Sequence, residues 1–149
     1  MMVTTRTGDQ PIRSWLLNAA VLCVVGILLN VLGAQAAIAL KLPVYIDSLG
    51  TVLAAMLGGY IPAIVVGYAT NLINSLSNSS TIYYGIVSVL IAVAAAFFAE
   101  RGWFKKLPLT LLSIVVFALI GGGLGSILTF FLFGEGIGDS VSAPFALQL

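Results

Sequence analysis

Three blocks of this chain are apolar over lengths that suit a membrane crossing: residues 15–40, 82–99 and 107–133. None of the three contains a charged side chain. A bilayer core of about 30 Å takes about 20 apolar residues in a helix, so each block predicts a span. The stretch 47–76 is also apolar, but Gly58-Gly59-Tyr60-Ile61-Pro62 interrupts it. Two glycines followed by a proline are turn punctuation. The pattern therefore allows one long kinked span or two short ones joined by a tight turn.

Charge separates the two, because Lys and Arg favour the cytoplasmic side. With two short spans and a cytoplasmic N-terminus, Arg6, Arg13, Arg101, Lys105 and Lys106 lie inside and only Lys41 lies outside. With one span, Arg101, Lys105 and Lys106 join Lys41 outside, leaving Arg6 and Arg13 within. The first arrangement obeys the rule and the second violates it. The expectation is an all-α, polytopic transmembrane bundle of five spans, at about 15–40, 45–57, 61–76, 82–99 and 107–133. Residues 1–14 precede it on the cytoplasmic side, and 134–149 follow it outside with Glu135 and Asp139. At 1.5 Å per residue the second span covers only about 20 Å. Such a helix survives if packed inside the bundle or if one end lines a water-filled cavity.

Ala34-Gln35-Ala36 resembles a signal-peptidase site. However, residues 15–32 already make an apolar run of 18, longer than the 7–15 of a signal peptide, so a retained span is expected. The chain stops in Ala143-Pro144-Phe145-Ala146-Leu147-Gln148-Leu149, an apolar run that reads as the approach to another element. A six-helix fold cut short is the expectation.

Composition agrees. Of 149 residues, 60% are apolar and 7% charged, against roughly 25% charged in soluble domains. Six basic and five acidic side chains cannot solvate a globule of this size, so lipid is expected as the main solvent. A net charge of +1 without a basic arm argues against nucleic acid. There is no histidine, and Cys23 is the one cysteine, so neither a familiar zinc or haem ligand set nor an intrachain disulfide can be assembled. No paired carboxylates or activated nucleophile are visible, and the chain is not expected to be an enzyme or to carry a cofactor.

Small residues recur at helical spacing: Ala19, Cys23, Gly26, Asn30, Gly33 and Ala37 in the first span, and Gly59, Ala63, Gly67, Asn71 and Ser75 in the third. The fourth carries Gly85, Ser88, Ala92, Ala96 and Ala99, and the fifth carries Gly121-Gly122-Gly123-Leu124-Gly125-Ser126. In lipid such stripes let backbones approach closely, with van der Waals packing as the driving force. The glycine run is no phosphate loop, since no Lys follows it. Amides within spans need partners, so Asn30 and Asn71 point either to neighbouring helices or to a ligand.

Asp47 opens the short second helix, where a carboxylate can cap the first N–H groups, and it can pair with Lys41. Acids near spans also mark solute pathways. The loop Asn74-Ser75-Leu76-Ser77-Asn78-Ser79-Ser80-Thr81-Ile82-Tyr83-Tyr84 is dense in uncharged polar groups and ends in two aromatics. It reads as a solvated loop with an interfacial tyrosine belt, or as the mouth of a site for a small solute. Asn78-Ser79-Ser80 also fits the glycosylation pattern, which matters only in a secretory eukaryotic setting. The candidate substrate-binding residues are Asp47, Asn71, Asn74, Asn78, Tyr83 and Tyr84; no metal site is expected.

The runs 45–55 (Tyr-Ile-Asp-Ser-Leu-Gly-Thr-Val-Leu-Ala-Ala), 58–63 (Gly-Gly-Tyr-Ile-Pro-Ala) and 67–73 (Gly-Tyr-Ala-Thr-Asn-Leu-Ile) resemble the membrane-embedded substrate-binding (S) components of bacterial energy-coupling factor transporters. Ala99-Glu100-Arg101-Gly102-Trp103-Phe104 has the same look, and the similarity covers roughly residues 42–106. The resemblance implies a six-helix fold in a bacterial cytoplasmic membrane, with both termini cytoplasmic. It implies a vitamin-like solute or metal ion bound near the outer face, and docking on a transmembrane scaffold subunit driven by two ATPases. Of the family's docking motif, two alanines four apart in the first helix, only Gly33 and Ala37 are present. Two other functions fit the same residues: the membrane sensor region of a larger signalling protein, and a scaffold with packing stripes alone.

Overall fold

A computed structural model describes residues 12–41, 47–77 and 79–134, and among these every regular element is helical. Helix α1 is Ile12–Ala39, α2 is Leu49–Gly58, α3 is Tyr60–Asn74 and α4 is Gly85–Glu100. Helix α5 (Leu107–Ala118), a π-helical stretch (Leu119–Leu124) and α6 (Gly125–Phe133) follow one another without a break. They make a fifth, continuous rod. Short 3-10 turns at Ser79–Ile82 and Trp103–Lys105 flank α4. Two stretches, Ser14–Ala39 and Leu107–Leu132, are long and apolar enough to cross a membrane.

The apolar stretch after Asp47 is two helices rather than one kinked span. Gly59 separates them at φ 76°, ψ −155°, a region that side chains with a Cβ avoid. No neighbouring atom crowds that position, so conformation alone requires the glycine. Pro62 sits in the first turn of α3, where its missing N–H costs no intrahelical bond. The chain folds back on itself here, since Thr51 of α2 and Thr70 of α3 both accept from the same Asn30 amide. α2 thus runs antiparallel to α1 and α3, and α4 runs antiparallel to α3.

Helix α2 is the shortest of the first four and touches α1, α3 and α4. At Gly50 a Cβ would fall 1.9 Å from the Gly26 carbonyl oxygen, so the α1 and α2 backbones touch there with no room for a side chain. At Gly67 the nearest atom to an added Cβ is the Ser88 carbonyl oxygen of α4, at 3.0 Å. The core between these helices is built from Ala54, Ala55, Ala63, Val66, Ala92, Ala95 and Ala96. The stripes read on the first, third and fourth spans are the faces that meet here.

The fifth stripe is different. Gly121–Gly125 falls largely in the π-helical stretch, and an added Cβ at Gly122 or Gly123 would meet nothing within 4 Å. The expectation of a packed interior is corrected at Gly122 and Gly123, which are exposed, whereas Gly121 still faces Ile91 of α4 and Gly125 is buried. Elsewhere the outer faces are apolar and uncovered; Leu17 and Leu28 on α1 and Leu111 and Phe131 on the rod are all exposed, Phe131 by 79%.

Candidate functional site

The helix directions divide the bundle into two unlike ends. One end holds the α2–α3 turn and the C-terminus of α4, tied by the Tyr60 hydroxyl donating to Glu100 Oε2 at 3.2 Å. The other holds the start of α2, the end of α3 and the start of α4, and the interhelical polar side chains gather towards it.

Asn30 organises that end. Its Oδ1 accepts from the Gly50 backbone N–H at 2.6 Å, and its Nδ2 donates to Thr51 Oγ1 at 2.9 Å and Thr70 Oγ1 at 3.1 Å. Thr70 in turn donates to the Val66 carbonyl. One amide from α1 therefore serves an N–H at the start of α2 and joins three helices. This reassigns the role expected of Asp47. Ser48 is the N-cap residue and makes no side-chain cap bond, and the Gly50 amide is taken by Asn30.

Asn71 lies one residue on and faces α4. Its Nδ2 donates to Ser88 Oγ at 2.6 Å and to the Gly67 carbonyl at 3.0 Å. Thr81 Oγ1 donates to the Asn71 carbonyl, tying the loop turn to the end of α3. Tyr84, at the N-cap of α4, is hydrogen-bonded through its hydroxyl to Thr129 Oγ1 of α6. Among the described residues no buried side-chain nitrogen or oxygen lacks a partner.

The predicted site residues thus divide. Asn71 and Tyr84 share this end but spend their polar atoms partly on helix–helix links. Asn74 ends α3, half-buried, with no hydrogen bond from its side chain to any described residue. Tyr83 is exposed on the same loop. Asn78 lies outside the described residues, as do residues 1–11 and 135–149. Asp47 stands in the bend two residues ahead of α2, half-buried.

Sequence reasoning singled out Asn30 but did not foresee its partners, and it missed Thr51, Thr70 and Thr129. Their one available signal was a hydroxyl inside an apolar helix, which needs an acceptor wherever it is buried.

The start of α2 is recessed. Asn30 lies level with Gly50, yet α1 continues nine residues further, to Ala39, which is about 14 Å of helix. Helix α3 likewise continues four residues past Thr70 to Asn74, about 6 Å. Asp47 and Ser48 therefore lie at the end of the bundle where α1 and α3 extend past the start of α2. The cavity described on the other flank, between α4 and α6, is lined by Ile86, Leu90, Ile127 and Phe131 among others and is apolar.

No family model matches the chain, and neither the curated proteins nor the solved structures contain a significant match.

Proposed function

We propose that this chain is the membrane-embedded solute-binding component of a bacterial uptake transporter. In this reading all five helices lie in the cytoplasmic membrane, with the N-terminus and the turn after α4 inside. The polar end faces out and takes a small vitamin-like solute. The chain performs no chemistry; a transmembrane scaffold with two ATPases supplies the energy.

The observation that carries the reading is the recessed start of α2, floored by the Asn30–Thr51–Thr70 layer and rimmed by α1 and α3. A short helix enclosed by three others suits one whose end lines a water-filled cavity. Asp47 and Asn74 lie at that end and have bonding capacity to offer a ligand. The resemblance of residues 42–106 to S components supports the same assignment, and the exposed apolar side chains of α1 and of the α5–α6 rod suit contact with lipid.

The test is ligand-induced thermal stabilisation in detergent across a panel of vitamins and metal ions. A hit should stabilise the parent, and Asn74→Ala should weaken it by up to about tenfold in affinity, the worth of one hydrogen bond of about 0.5–1.5 kcal/mol. A panel with no hit, or a hit that Asn74→Ala and Asp47→Asn bind as tightly as the parent, refutes the site.

A further inference from the structure

The opposite end of the bundle carries a second feature. Arg101, Lys105 and Lys106 fall within six residues, with Glu100 as the one neighbouring acid. That carboxylate accepts from Tyr60 of α3, and no described carboxylate pairs with any of the three cations.

The turn that holds them is built rather than loose. Trp103 stacks on Phe98, ring centroids 4.3 Å apart and planes 11° from parallel, and Phe98 packs against Phe117 of α5. Gly102 takes the left-handed conformation at φ 68° that lets the chain reverse, and Thr110 Oγ1 reaches back to the Trp103 carbonyl at 3.3 Å. The Arg101 guanidinium lies over the outward-facing Phe97 ring, 4.1 Å from its centroid. A guanidinium held by one face on an aromatic ring keeps its N–H edge free, and that edge matches a phosphate in a two-bond fork. Lys105 and Lys106 are exposed beside it.

We propose that the Arg101–Trp103–Lys105–Lys106 turn is a binding site for the phosphate headgroup of an anionic phospholipid. The half-buried indole sits at the interface, the guanidinium takes the phosphate, and the two ammonium groups hold the negative surface. The site rests on the membrane reading of the bundle but not on the solute. Each cation near an anionic surface is worth about 1 kcal/mol, roughly fivefold in binding.

The experiment uses the fluorescence of Trp103 in a Trp15→Phe background, which leaves one tryptophan. The protein is reconstituted in mixed vesicles in which either phosphatidylglycerol or phosphatidylcholine carries brominated chains. Quenching should report a preference for phosphatidylglycerol of at least about fivefold, falling within twofold of unity in Arg101→Gln/Lys105→Gln/Lys106→Gln. Unchanged quenching by phosphatidylcholine in that triple variant shows that it is still folded and inserted. Equal quenching by the two lipids in the parent, or a preference that survives in the triple variant, overturns the proposal alone. Loss of the preference in millimolar inorganic phosphate also overturns it, by placing a free anion in the site. No quenching by either lipid overturns the membrane reading and this one with it.

Discussion

The contact between Gly26 and Gly50 is the tightest point of the bundle, and adding one methyl group there should be costly. In Gly50→Ala the new Cβ would lie 1.9 Å from the Gly26 oxygen and 2.6 Å from its carbonyl carbon. Both are backbone atoms, so no side-chain rotation relieves the clash. Restoring ordinary contact, which begins at 3.4 Å, requires α1 and α2 to part by about 1.5 Å. That movement stretches the 2.6 Å bond from the Gly50 N–H to Asn30 and the 2.9 Å bond from Asn30 to Thr51 beyond hydrogen-bond range. Overpacking costs about 1–3 kcal/mol. Two weakened buried bonds add about 0.6–1.5 kcal/mol each. The sum is about 2–6 kcal/mol, or a fall in Tm on the order of 10 °C for a chain of this size. Thermal unfolding in mild detergent, followed by aggregation or by circular dichroism, would measure it. Gly123→Ala is the control, because the new methyl meets open space and removes a flexible glycine from a helix. If Gly50→Ala melts at the same temperature as the Gly123→Ala control, the two helices do not touch as described.

Gly67→Leu should destabilise by about 1–3 kcal/mol against the Ser88 carbonyl, while Val65→Leu on the exposed face should be nearly silent in the same assay. Asn30→Leu keeps the volume but strands the Gly50 N–H, and should cost about 1–3 kcal/mol; Asn71→Leu should cost less, since it links two helices rather than three.

Much of the helix layout was legible because it depends on local signals. Apolar length set the positions of α1, α4 and the long rod, and Gly58-Gly59 with Pro62 marked the reversal. The small-residue stripes gave the inward faces of α1, α3 and α4. What periodicity cannot supply is the neighbour on each face. It showed that Gly26 and Asn30 point inward, but not that they meet Gly50, Thr51 and Thr70, which are 20 to 40 residues away in sequence. The Asp47 cap was misjudged for the same reason: a cap from another helix leaves no trace in the local sequence. The run Gly121–Gly125 looked like a packing stripe because a regular helix was assumed. The π-helical stretch changes the residue-to-face relation, and Gly122 and Gly123 are left exposed. Asn74 and Tyr83 lie at the end of the bundle shared by the starts of α2 and α4, because the loop that carries them follows α3.

The central claim is that the polar end of this bundle is the outward mouth of a membrane protein and the cationic turn its inner end. Helix α4 separates the two: Ser79 precedes it and Lys105 follows it, about 24 Å of helix apart. In a Cys23→Ala background, single cysteines replacing Ser79 or Lys105 can be labelled in intact cells with a membrane-impermeant maleimide. Ser79→Cys should be labelled in intact cells and Lys105→Cys only after the membrane is broken. Labelling of Lys105→Cys but not Ser79→Cys in intact cells, or of both or neither under the same conditions, would contradict it.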